Sequence, residues 1–77
     1  MNYRINDVGI FCKFFRSEVL NLTLEEFSEQ VGVKVTTISS FENGRSTNLK
    51  HLKNYVKLAD KEQEQFFRKA LPLWVLI

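Results

Sequence analysis

From Leu22 to Gly44 the chain reads LTLEEFSEQVGVKVTTISSFENG, two short helical patterns parted by one glycine, and no other stretch constrains the fold as tightly. Thr23 stands three residues before Glu26, the spacing at which a threonine hydroxyl takes a first-turn amide while the glutamate reaches back to the threonine's own amide. Phe27 and Val31 follow at helical spacing, so a helix begins at Thr23. Gly32 falls where that helix must stop and the chain reverse, a place where positive φ is cheap for glycine alone. A second helix follows over 34–43. Its Ile38 and Phe41 share one face, while Val35, Thr36, Ser39, Ser40 and Asn43 share the opposite, hydroxyl-rich one.

These residues resemble the core of the Cro and lambda-repressor-like helix-turn-helix family, also called the Xre family, which reads approximately L-T-Q-E-E-L-A-x-x-x-G-V-S-x-x-T-I-S-x-x-E-N-G. The matching positions are Leu22, Thr23, Glu25, Glu26, Gly32, Val33, Thr37, Ile38, Ser39, Glu42, Asn43 and Gly44. Val8 to Arg16 looks like the family's first helix, with Cys12 and Phe15 at apolar positions and Arg16 at the basic one. Asn48-Leu49-x-x-Leu52-x-x-x-Val56-x-Leu58-Ala59 is similar to the fourth helix, entered through a Ser46-Thr47-Asn48 cap, so the likeness spans residues 8–60. Three positions depart from the pattern. Leu24 stands where a phosphate-touching glutamine is frequent, Lys34 replaces the serine cap of the recognition helix, and the Ser17 to Asn21 link is one residue longer than usual.

The resemblance implies a sequence-specific, double-stranded DNA-binding transcriptional regulator, repressor-like and homodimeric, with the helix over 34–43 in the major groove. It places Val35, Thr36, Thr37 and Ser40 at base-reading positions, and Lys34, Ser39, Asn43, Arg45 and Lys50 at phosphate or secondary ones. It also implies a structural ion pair between Arg16 and Glu42 that pins the recognition helix to the first helix. The reading chemistry is narrow. Val35 can pack on a thymine methyl, and Thr36 and Ser40 can donate or accept, but none offers the two-pronged pattern of Arg on guanine or Gln on adenine.

Charge agrees in its distribution more than in its sum of +2. Through Ser40 there are four basic and five acidic residues; from Phe41 onward there are seven basic and four acidic. Arg45, Lys50, Lys53 and Lys57 follow directly on the recognition helix, where a phosphate backbone would find its counter-charge, although lysines at this spacing also make an ordinary solvated helix face.

Length and composition bound the rest. Seventy-seven residues bury one modest core, giving a single domain over 1–77, and ten aromatics supply its apolar area. A lone cysteine, no apolar run of spanning length and a polar amino end predict a cytoplasmic protein with no membrane segment. The expected architecture is all-α, a compact five-helix bundle of the lambda-repressor-like type. Its helices are placed over 7–20, 23–31, 34–43, 48–59 and 60–71, the last with an apolar stripe of Phe66, Phe67, Ala70 and Leu71 and an Asp60 cap. Met1 to Asn6 is expected to be a short, weakly held arm. Neither His51 nor Cys12 has partners at metal-site or nucleophile spacing, so no enzyme activity, metal or cofactor is expected.

After Leu71 the chain turns to Pro72, Leu73, Trp74, Val75, Leu76 and Ile77, a short C-terminal tail without a charge. Something must cover it. The leading expectation is a dimer contact through Leu73, Trp74, Val75, Leu76 and Ile77; packing on the chain's own core comes next, and truncation of a longer protein last. The same tail could take a protein partner. That supports the rival function: a helix-turn-helix scaffold used as a protein-interaction module, for example a phage-encoded modulator of a host factor or repressor.

Overall fold

The structure is a computed structural model that describes residues 5–46 and 48–71. Its elements are α1 (Ile5–Phe14), a π-helical turn (Phe15–Val19), α2 (Leu24–Val31), α3 (Val35–Glu42), a 3₁₀ turn (Leu49–His51) leading into α4 (Leu52–Lys57), and α5 (Lys61–Ala70). The bundle is all-α, with no strand among the described residues. The apolar tail residues Leu73, Trp74, Val75, Leu76 and Ile77 lie outside the described residues, as do Met1 to Arg4 and Thr47.

Local hydrogen bonding sets the helix ends. Thr23 Oγ1 accepts from the Glu26 amide at 3.1 Å while the Thr23 amide donates to Glu26 Oε1 at 2.8 Å, the reciprocal box that its spacing predicts. Gly32 closes α2 at φ 71, ψ 30, its amide donating to Ser28 O at 2.9 Å. Asp60 and Gln63 form a second such box at the start of α5, and the Gln63 side chain also donates to Val19 O at 3.2 Å.

Four expectations need correction. α1 runs from Ile5 and so takes in Ile5 and Asn6, which the expected helix from residue 7 and the expected arm over Met1 to Asn6 left outside it. The first helix is not regular to residue 20. Its last turn is π-helical, with the Leu20 amide reaching Phe15 O at 2.9 Å, five residues back. The fourth helix is shorter than 48–59, because its entry is a 3₁₀ turn capped by Asn48, whose Oδ1 accepts from the Lys50 amide at 3.1 Å. Finally, only Phe67 and Leu71 of the expected α5 stripe are buried, whereas Phe66 is 42% exposed. Phe66 is rotated by about 100° from Phe67 on the helix and faces the rim of the core.

The core is aromatic. Phe27 stacks on Tyr55 with ring centres 4.7 Å apart, and Phe15 meets Phe67 edge-on at 4.7 Å. Val8, Cys12, Ile38 and Phe41 fill the space between α1 and α3. Burial, and then the neighbouring Glu42 carboxylate, push the Cys12 thiol far above its ordinary pKa, so it stays protonated and behaves as a small apolar group.

Gly9 sets how closely these helices approach. A methyl group there would lie 2.6 Å from both Phe41 O and Glu42 O, backbone atoms at the end of α3. On an open helix face Gly→Ala gains about 1 kcal/mol from propensity. Overpacking of about 1–3 kcal/mol opposes that gain here, so Gly9→Ala should lower the thermal midpoint rather than raise it. A second expectation tests the π-turn. Deleting Glu18 should convert the turn to regular α-helix and keep a cooperative thermal transition. Deleting Lys13 should rotate Val8 and Gly9 by about 100° out of their seats and abolish the transition.

Candidate nucleic-acid interface

The end of α3 is held against the π-turn and α4 by a buried polar cluster. Arg16, at 6% exposure, sits in the π-turn and meets Glu42, at 4%, in the last turn of α3. The contact is two-pronged: Nε donates to Oε2 at 2.9 Å and Nη2 donates to Oε1 at 3.0 Å. Nη1 donates to Leu22 O at 2.9 Å, while the Leu22 amide returns a bond to Arg16 O at 3.0 Å. Tyr55 of α4 donates its hydroxyl to Glu42 Oε2 at 3.0 Å. Burial, then the Glu42 charge, push the Tyr55 phenol well above its usual range and keep it a donor. Sequence reasoning missed Tyr55. Its signal was available, since a polar-tipped aromatic lies among the apolar positions Leu52 and Val56.

The link after Arg16 opens as a π-turn, and from that turn Arg16 reaches Glu42.

α3 then presents its other face outward. Ile38, Phe41 and Glu42 are buried, Thr36 is exposed, and Val35, Thr37, Ser39 and Ser40 are half-buried. Lys34 is the N-cap residue in extended backbone and is exposed; its side chain has no acceptor with which to cap, so it differs from a serine there by leaving the first-turn amides uncapped. Those amides and the Lys34 ammonium form one positive end. Asn43 differs from a free phosphate ligand: its Nδ2 donates back to Ser39 O at 2.8 Å and Ser39 Oγ at 3.2 Å, closing the helix end. Arg45 is exposed in the following loop, its amide anchored to Ser40 O at 2.8 Å. Lys50, Lys53 and Lys57 are exposed beyond it.

Among the described residues no group of acidic, His or Cys side chains could hold a metal, and no helix is long and apolar enough to cross a membrane. Cys12 and His51 are far from forming a reactive pair in character: one is fully buried, and the other packs its ring 5.2 Å from Phe41.

A capped helix, a left-handed glycine turn and an outward-facing second helix followed by basic residues define a helix-turn-helix domain. A helix-turn-helix family model matches residues 20–69, and the chain belongs to that family, the Cro/C1 type of DNA-binding domain. The family is one of DNA-binding domains and not of enzymes. No curated protein and no solved structure matches the chain. The match opens at Leu20, directly after the π-turn.

The buried pair has a measurable signature. Removing one partner strands the other charge, so Arg16→Ala and Glu42→Ala should each cost about 3–5 kcal/mol of stability. The double variant should lose clearly less than the sum, read from denaturant unfolding of all four members of the cycle. Tyr55→Phe should cost about 0.5–1.5 kcal/mol, one hydrogen bond's worth.

Proposed function

We propose that the chain is a sequence-specific, double-stranded DNA-binding transcriptional regulator of the repressor type, working in the cytoplasm as a homodimer with α3 in the major groove of each half-site. The observation that carries this reading is the outward face of α3, with Thr36 exposed and Val35, Thr37 and Ser40 beside it, on a helix whose inner face is fixed by Glu42. Lys34 at its start and Arg45 and Lys50 after its end supply phosphate contacts, with Ser39 secondary. Asn43 contributes by shaping the helix end, since its amide is engaged with Ser39.

A homodimer follows from the weakness of each reader. Short side chains discriminate poorly at single base pairs, so useful specificity requires two half-sites in register and sensitivity to groove shape. One observation favours a protein partner as well: Ile10 (57% exposed), Phe14 and Phe66 form an uncovered apolar surface on α1 and α5, with the Phe14 and Phe66 rings 6.4 Å apart. A second copy or another protein would cover it.

Selection from random duplexes at moderate salt tests the reading: a two-fold-related motif should be enriched, and flat counts would favour the interaction-module alternative. Thr36→Ala or Ser40→Ala should relax preference at one or two base positions, by about 1–3 kcal/mol per lost contact. Arg45→Ala should weaken binding to all sequences alike and reduce the salt slope by about one charge.

A further inference from the structure

Between α4 and α5 lies a groove of about 490 Å³, with Leu52, Val56, Phe67 and Leu71 as its apolar lining and Lys53 and Lys57 among its charged members. That volume lies within the roughly 300–1,000 Å³ of sites that cover most of a small apolar ligand. One lining residue is also an exit. α5 ends at Leu71, which is 6% exposed and turns to extended backbone at φ −59, ψ 134, the region that a following proline enforces. Directly after it come Pro72 and the uncharged run Leu73, Trp74, Val75, Leu76, Ile77.

We propose that the α4–α5 groove is the seat of the chain's own residues 73–77, with Trp74 as the anchor. Three arguments choose this occupant. The first is chemistry: Leu52, Val56, Phe67 and Leu71 make the groove's apolar lining, the tail has no charged side chain, and the stems of Lys53, Lys57 and Arg68 can lie along it while their charged groups stay in water. The second is reach. Trp74 is three residues past Leu71 and so lies within about 10 Å of it, while the α4 wall from Leu52 to Lys57 runs about 8 Å. The third is concentration. A tail tethered by one proline to a residue already in the groove is present at an effective concentration on the order of millimolar, which a tail from a second copy must match from solution while losing its translational freedom. Seated in this way, the tail completes the chain's own core instead of joining two copies. The Ile10, Phe14 and Phe66 surface is then the one left for a partner. This assignment does not rest on DNA binding.

Trp74 is the only tryptophan, so its fluorescence reads the seat directly in the whole chain. Its emission should lie to the blue of a hydrated indole, and acrylamide should quench it about three-fold more slowly, as burial of roughly 70–90% of a ligand's surface implies. Both should be unchanged over a dilution series followed by sedimentation. Val56→Lys, which places an ammonium in the lining, should restore free quenching while the far-ultraviolet helix signal is kept; if that variant loses its helices, Leu76→Asp takes its place. Freely quenched Trp74 in the natural chain overturns the assignment. So does protection that survives the variant with intact helices, which would put the tail elsewhere, or protection that vanishes on dilution as a dimer dissociates, which would give the groove to a second copy.

Discussion

A buried carboxylate, that of Glu42, is the point on which the rest of the structure depends. Moving it and Arg16 out of water costs several kcal/mol per ion, and their attraction offsets that cost only with good geometry and further hydrogen bonds to the buried polar atoms. The geometry is good: two guanidinium bonds and the Tyr55 hydroxyl converge on its two oxygens, and a third Arg16 N–H goes to Leu22 O. No buried side-chain polar atom among the described residues lacks a partner. Such a cluster adds little stability over an apolar replacement, but it is intolerant of misplacement. Three segments, the π-turn, α3 and α4, must meet at one group, so the orientation of the outward helix is specified and not merely permitted.

The first helix is fitted to that same end of α3 twice. Gly9 and Arg16 are seven residues apart, two helical turns, and therefore share a face. Gly9 lets the backbone of α1 come against the Phe41 and Glu42 carbonyls, and Arg16 takes the Glu42 side chain. An inserted residue between these two would have destroyed the pairing. After Arg16 the π-turn runs on to Val19, whose carbonyl accepts from the Gln63 side chain at the start of α5.

Precise placement and modest side chains are complementary features of α3. On the proposed reading, a helix that offers Val35, Thr36, Thr37 and Ser40 would recognise only a few edges and methyl groups, so its contribution would depend on where its backbone lies relative to the phosphates. Lys34, the uncapped first-turn amides and Arg45 bracket the helix with positive charge at both ends. The buried pair fixes the helix; the flanking charges give it something to be fixed against.

Much of this was determined by the sequence alone, because the signals are local. The Thr23–Glu26 and Asp60 caps, the left-handed Gly32 and the burial of Ile38 and Phe41 follow from hydrogen bonds and periodicities within a few residues of each other. The family resemblance carried the long-range Arg16–Glu42 pair, which spacing by itself could not supply. What only the tertiary structure decided involves groups brought together from far along the chain, or choices between locally equal alternatives. Gly9 matters through carbonyls of α3, Tyr55 through a carboxylate thirteen residues earlier, and of two adjacent rings Phe67 is buried between Phe15 and Tyr55 while Phe66 lies at the rim against Phe11 and Phe14. In each case packing against a second element made the choice.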